Sequence, residues 1–90
     1  MPNGGARHPA VAAKLKAEGV RPGVPDLFLA APSGRDVLAK GLWIELKRHP
    51  NRPSAEQEAV IAYLRRQGYH CVVAYGFDEA KMAIEGYLGK

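Results

Sequence analysis

The sequence predicts a small α/β domain, a mixed β-sheet flanked by helices. Three observations predict it. Two short apolar stretches, residues 25–29 and 42–47, stand either side of a segment with turn chemistry: Pro32, Ser33, Gly34, Arg35 and Asp36. A third apolar stretch, residues 69–75, is separated from the second by a helical pattern with both a start and a stop signal. Strands joined by a turn pair antiparallel, whereas a strand–helix–strand connection of this length gives a parallel, right-handed crossover. Both pairings in one sheet make it mixed.

Taken in order, residues 1–8 are polar and glycine-rich, with Asn3-Gly4-Gly5, and read as a loop or turn. Pro9 suits the first turn of a helix, and residues 9–18 are helix formers with Val11 and Leu15 four apart. Gly19 ends that helix. Residues 20–25 contain two prolines and a glycine and form an extended loop. The first strand is expected over residues 26–31, the connection over 32–41 and the second strand over 42–47. His49-Pro50-Asn51-Arg52-Pro53 is a basic loop rich in breakers. Ser54 and Gln57 have capping-box spacing and open a helix over 54–67, which Gly68 stops. The third strand, 69–75, centres on Cys71-Val72-Val73-Ala74. Gly76-Phe77 turns, and Asp78 is expected to cap a final helix with Ala80, Ala83, Ile84, Tyr87 and Leu88 on one face. No repeat or low-complexity segment is present.

Charge interrupts both of the first two strands. Ionised groups are costly to bury unless they are paired or bind a metal. Asp26 opens the first strand, and Glu45 and Lys47 sit in the second. Alternation puts Trp43, Glu45 and Lys47 on one face and Ile44 and Leu46 on the other. A hairpin turning between the strands brings Asp26 near Glu45 at the end of the ladder. Two carboxylates and an amine then converge on a sheet edge. Hard oxygen ligands suit Mg²⁺ or Mn²⁺, an ion able to activate water and neutralise phosphoryl charge, while the lysine stabilises a developing anion or orients the water. The plainer alternatives are a turn residue after proline for Asp26 and a solvated edge-strand face for Glu45 and Lys47.

Ninety residues make one domain, residues 1–90, with a small core whose marginal stability oligomerisation would help. Thirteen Lys and Arg against nine Asp and Glu give a formal net charge of +4, a modest basic excess that fits a nucleic-acid partner and many ordinary basic proteins as well. The single cysteine, Cys71, cannot form a disulfide within the chain, in keeping with a reducing compartment. No stretch reaches membrane-spanning length and the N-terminus has no apolar signal core, so a soluble, cytoplasmic protein without a membrane partner is expected.

Pro25-Asp26, a spacer of 18 residues, then Glu45-Leu46-Lys47 is the PD-(D/E)xK nuclease signature. With Asn3-Gly4-Gly5, Gly19, Pro22-Gly23-Val24, Ser54, Gln57, Gly68-Tyr69 and a closing helix near Asp78-Glu79-Ala80, the chain resembles the VRR-NUC family in its short single-domain phage and bacterial form, over nearly its whole length. The resemblance implies a restriction-endonuclease-like α/β fold and a metal-dependent nuclease with DNA as its substrate, in the cytoplasm of a bacterial or phage-infected cell. It implies Asp26, Glu45 and the Leu46 carbonyl as ligands of Mg²⁺ or Mn²⁺, Lys47 as the catalytic lysine and Gln57 as the helix glutamine facing the site. It also implies similarity to Holliday-junction resolvases, hence a homodimer acting on junction or branched DNA. Family members usually carry an N-terminal helix and most of a first strand before the Pro-Asn-Gly-Gly segment, and this sequence begins at that segment. A non-catalytic DNA-binding module on the same fold is the alternative from another class.

Gln57 shares a helical stripe with Val60, Ile61 and Leu64, so its amide is expected to point inward as well as to complete the cap with Ser54. Arg48 and Arg52 follow the second strand directly and are candidates for phosphate contact, as is Arg7 beside the glycine-rich loop. Arg65 and Arg66 read as solvated surface. His49 and His70 lack zinc-ligand spacing. Cys71 reads as core, and Trp43 is expected either near the site or at a subunit contact.

Overall fold

The computed structural model describes residues 22–90. The expected helix over 9–18 and Arg7 lie outside them. Five elements follow in order: strand β1 (Leu27–Leu29), strand β2 (Leu42–Lys47), helix α1 (Ala55–Arg66), strand β3 (His70–Tyr75) and helix α2 (Phe77–Leu88). The sheet order is β1-β2-β3, with β1 antiparallel and β3 parallel to β2. The sheet is mixed, as the turn and crossover connections require. β2 is therefore the central strand, and Glu45 and Lys47 lie near its C-terminal end rather than on a strand at the sheet edge.

Alternation along β2 divides the core between the two helices. Trp43 packs with Val24, Cys71, Val60 and Ile61, the last two from α1. Leu42 and Ile44 point the other way and pack with Ala74, and with Ala80 and Tyr87 from α2. Trp43 is 4% exposed, and its ring lies 4.5 Å from that of Phe28 and 6.3 Å from that of Tyr69. It is thus the centre of the α1-side core. Cys71 is buried too, and desolvation pushes its thiol up to about 11. Arg65 is exposed, as expected of a surface residue, and its guanidinium also donates to the Cys71 carbonyl at 2.7 Å and ties α1 to β3.

Two boundaries depart from expectation. β1 stops at Leu29, two residues before Ala31, because the next ladder partners are engaged elsewhere. The Ala31 carbonyl accepts the Tyr87 hydroxyl at 2.6 Å, and the Lys40 amide donates to Gly68 at 3.0 Å. The Ser33 hydroxyl and the Gly34 amide both donate to the Tyr87 carbonyl, holding the loop against the end of α2. A Cβ on Gly34 would sit 2.2 Å from the Leu88 carbonyl oxygen, so only glycine fits there. Likewise α2 starts at Phe77, not after a cap at Asp78. Gly76 is its N-cap with φ +98°, a turn tight enough to enter the helix early, and no side chain caps it. Glu79 in the first turn accepts the Tyr75 amide at 2.8 Å instead.

The connection between β1 and β2 is also held by Asp36, whose Oδ2 lies 2.9 Å from Nε2 of His70 on β3. The His70 hydrogen bond, then that from the Leu38 amide, hold the Asp36 carboxyl below its ordinary 3.8. A depressed carboxylate contributes stability above its unfolded value and loses it as pH falls through the folded value. Asp36→Asn should therefore melt slightly below wild type at neutral pH, and the difference should shrink as the pH of the melts falls below 3.8 and vanish only below the lower folded value.

No helix among the described residues is long and apolar enough to cross a membrane.

Candidate active site

Asp26 is placed by the chain before β1. Pro25 is fully buried, and Gly23, at φ +92°, passes so close to α1 that a Cβ would meet the Glu56 carbonyl oxygen at 2.9 Å. The approach needs glycine both for its φ and for its lack of a side chain. Extending the Leu27↔Ile44 register by one residue sets Asp26 opposite Glu45. Asp26 Oδ2 accepts the Leu46 amide at 2.9 Å, which fixes the aspartate against β2 between Glu45 and Lys47.

Glu45 is 3% exposed, on the α1 side of the central strand. Its Oε2 accepts Gln57 Nε2 at 2.8 Å and lies 3.5 Å from Lys47 Nζ. A carboxylate so deeply placed needs such donors. Gln57 serves two purposes at once. Its Oε1 accepts the Ser54 backbone amide at 2.8 Å, while the Gln57 backbone N–H donates to the Ser54 hydroxyl at 3.1 Å, completing the capping box. One side chain thus caps α1 with its oxygen and holds Glu45 with its nitrogen.

Gln57→Glu separates those tasks. The acceptor for Ser54 survives, the donor to Glu45 is lost, and a second carboxylate faces the first. We expect a loss of about 1.5–3 kcal/mol at neutral pH, the size of a hydrogen bond to a charged group. The loss should shrink on acidification, because one proton relieves the repulsion. Gln57→Ala should show no such recovery in urea titrations at the two pH values.

Leu46 meets the site through its backbone, since its side chain lies on the opposite face and is 42% exposed. Arg48 and Arg52 are exposed in the loop after β2 and make no ion pair among the described residues. Arg7 lies outside the described residues. The structure therefore brings Asp26, Glu45, Lys47 and Gln57 together and leaves Arg48 and Arg52 at the margin. Among the described residues no three His, Cys, Asp or Glu side chains gather as a metal cluster. The side-chain oxygens here that could hold a metal are the carboxylates of Asp26 and Glu45, and oxygen donors of this kind suit Mg²⁺ or Mn²⁺, which keep several waters and take few protein carboxylates.

One neighbour escaped the sequence. Tyr75 is the register partner of Lys47 across the parallel pair. Its ring stacks on His49 at 4.2 Å and 15°, and its hydroxyl donates to the Asn51 carbonyl at 2.9 Å. Only the register, which sequence spacing does not give, could have revealed it.

The VRR-NUC domain model matches residues 4–78. The chain belongs to the VRR-NUC family. A solved structure described as a VRR_NUC domain protein superposes with a TM-score of 0.72 at 35% identity, over 87% of this chain and 63% of that one. This VRR-NUC chain therefore spans under two thirds of the length of that relative. No curated protein matches it. Its nuclease-type fold, with a three-stranded mixed sheet and two helices among the described residues, agrees with the α/β class expected from the sequence.

Proposed function

We propose that this VRR-NUC domain is a divalent-metal-dependent deoxyribonuclease that hydrolyses phosphodiester bonds in junction or branched DNA as a homodimer. The observation that carries the reading is the convergence on Glu45. A nearly inaccessible carboxylate lies on a central strand, with Gln57 and Lys47 directed at one of its oxygens and Asp26 pinned to the adjacent peptide.

Asp26, Glu45 and the Leu46 carbonyl would hold Mg²⁺ or Mn²⁺. Such an ion lowers the pKa of bound water and offsets charge on a phosphoryl group. The protein's own part is positional. Gln57 fixes the orientation of Glu45. Asp26 is held by the Leu46 amide. Lys47, on the same strand face, orients the attacking water or stabilises charge developing on the phosphate. Hydrolysis forms a bond from water oxygen to phosphorus and breaks one to a sugar oxygen, which leaves with a proton. Arg48, Arg52 and Arg7 supply phosphate contacts that position the strand without reading sequence. The small domain and the geometry of a junction support a dimer, since one site cannot cut two strands symmetrically.

The test is cleavage of four-way junction, flap, duplex and single-stranded DNA in Mg²⁺ or Mn²⁺, with light scattering on the same samples. Cleavage abolished by EDTA and restored by either ion is expected, strongest on branched substrates, from a dimer. Binding without cleavage would assign a non-catalytic DNA-binding module, and a monomer at working concentration would remove the dimer.

A further inference from the structure

We propose that the stacked His49–Tyr75 pair is a platform for one unpaired nucleobase beside the cleavage site, so that the preferred substrate carries a single-stranded arm. The inference rests on the nuclease reading and deepens it.

Four observations place the platform. First, the two rings are nearly parallel, 15° apart at 4.2 Å. Tyr75 stacks on the imidazole, and His49 nevertheless remains exposed. Second, the pair adjoins the candidate chemistry. Tyr75 lies in register with Lys47, and His49 follows Lys47 by two residues. Third, His49 and Tyr75 both line two hollows, one of about 870 Å³ and one of about 520 Å³. Pro50, Arg52 and Pro53 line the smaller hollow and Arg48 the larger. Fourth, the platform is held in place. The Tyr75 hydroxyl donates to the Asn51 carbonyl, and the Tyr75 amide donates to Glu79.

A flat π-face flanked by arginines suits a nucleotide, with its base on the ring and its phosphate on a guanidinium. Bases inside a duplex have both faces covered by their neighbours, so only an unpaired base can use such a face. A purely internal role, with the stack bracing the loop, is the competing account. It predicts no dependence on base accessibility.

The probes are a DNA hairpin with a short overhang carrying 2-aminopurine and a blunt hairpin of the same stem. Both are titrated with the full chain in Ca²⁺ while fluorescence and affinity are read. Wild type should quench the overhang probe. His49→Ala should weaken overhang binding roughly tenfold, the loss of one base–aromatic stack, and affect the blunt hairpin far less. His49→Phe, which keeps a planar face and removes the imidazole, should restore binding and quenching. Tyr75→Phe keeps the ring and loses the tie to Asn51, and should quench the overhang probe less than wild type while leaving the blunt hairpin unaffected.

Equal weakening of both probes by His49→Ala, or failure of His49→Phe to rescue, would overturn the platform in favour of a phosphate contact or a loop brace. Cleavage in Mg²⁺ with no quenching would sink the platform alone. Quenching dependent on His49 with no cleavage would leave the platform standing and sink the nuclease reading. No binding of either probe would end both.

Discussion

Replacing Lys47 with alanine should reduce metal-dependent DNA cleavage by roughly 10²–10³-fold, the effect of removing one group aimed at developing charge, while leaving the fold intact. The fold survives because Lys47 lies at the end of β2, outside both core clusters. Glu45, its ion-pair partner at 3.5 Å, still accepts from Gln57. Circular dichroism should therefore match wild type, with a lowered melting temperature because the nearly inaccessible Glu45 carboxylate loses an ion-pair partner. Lys47→Arg should not recover the activity, since a planar, strongly delocalised fork cannot stand in for a compact ammonium at a water-orienting position. Full cleavage by purified Lys47→Ala would remove Lys47 from the chemistry, and with it the assignment of the activity to this site.

Trp43→Ala should cost about 3–5 kcal/mol, the range for deleting a large aromatic side chain from a packed core. Against a total of about 5–15 kcal/mol for a domain, that removes a large share of the stability. The estimate follows from position. Trp43 is in contact distance of Phe28 and Tyr69 and packs against Val60 and Ile61, which fix α1 to the sheet. The cavity would loosen the helix that carries Gln57, so activity should fall with stability. Trp43→Phe should cost markedly less. The indole Nε1 has no acceptor among the described residues, so phenylalanine gives up volume but also removes a buried, unmatched donor. Urea unfolding followed by circular dichroism measures both. Similar costs for the two variants would mean that the indole is not held by packing.

Much of the site was legible because it depends on short-range rules. The two-residue period of a strand put Glu45 and Lys47 on one face, and the structure places them there with Trp43. The capping spacing and the helical stripe gave Gln57 two tasks, and both bonds form. Where reading failed, the cause was a long-range contact. β1 is short because Tyr87, 56 residues away, takes the Ala31 carbonyl. Arg65 is the surface residue it reads as, but its added bond to the Cys71 carbonyl forms only once β3 has folded beside α1. Asp78 looked like a cap because aspartate favours that position, yet the positive φ of Gly76 admits the helix earlier. Trp43 left two options open in the sequence, and the aromatic cluster around it is built from β1, β2 and the residue before β3.

The shared use of Gln57 also bears on when the protein becomes competent. Asp26, Glu45, Lys47 and Gln57 all fall within the first part of the described chain, so synthesis delivers them before β3 and α2 exist. Yet the amide that orients Glu45 is held in place only when the first turn of α1 has closed on Ser54 and that helix has settled on the sheet. An incomplete or misfolded chain carries the carboxylates and the lysine without their arrangement. The arrangement around Glu45 arrives with folding rather than with translation of the residues themselves.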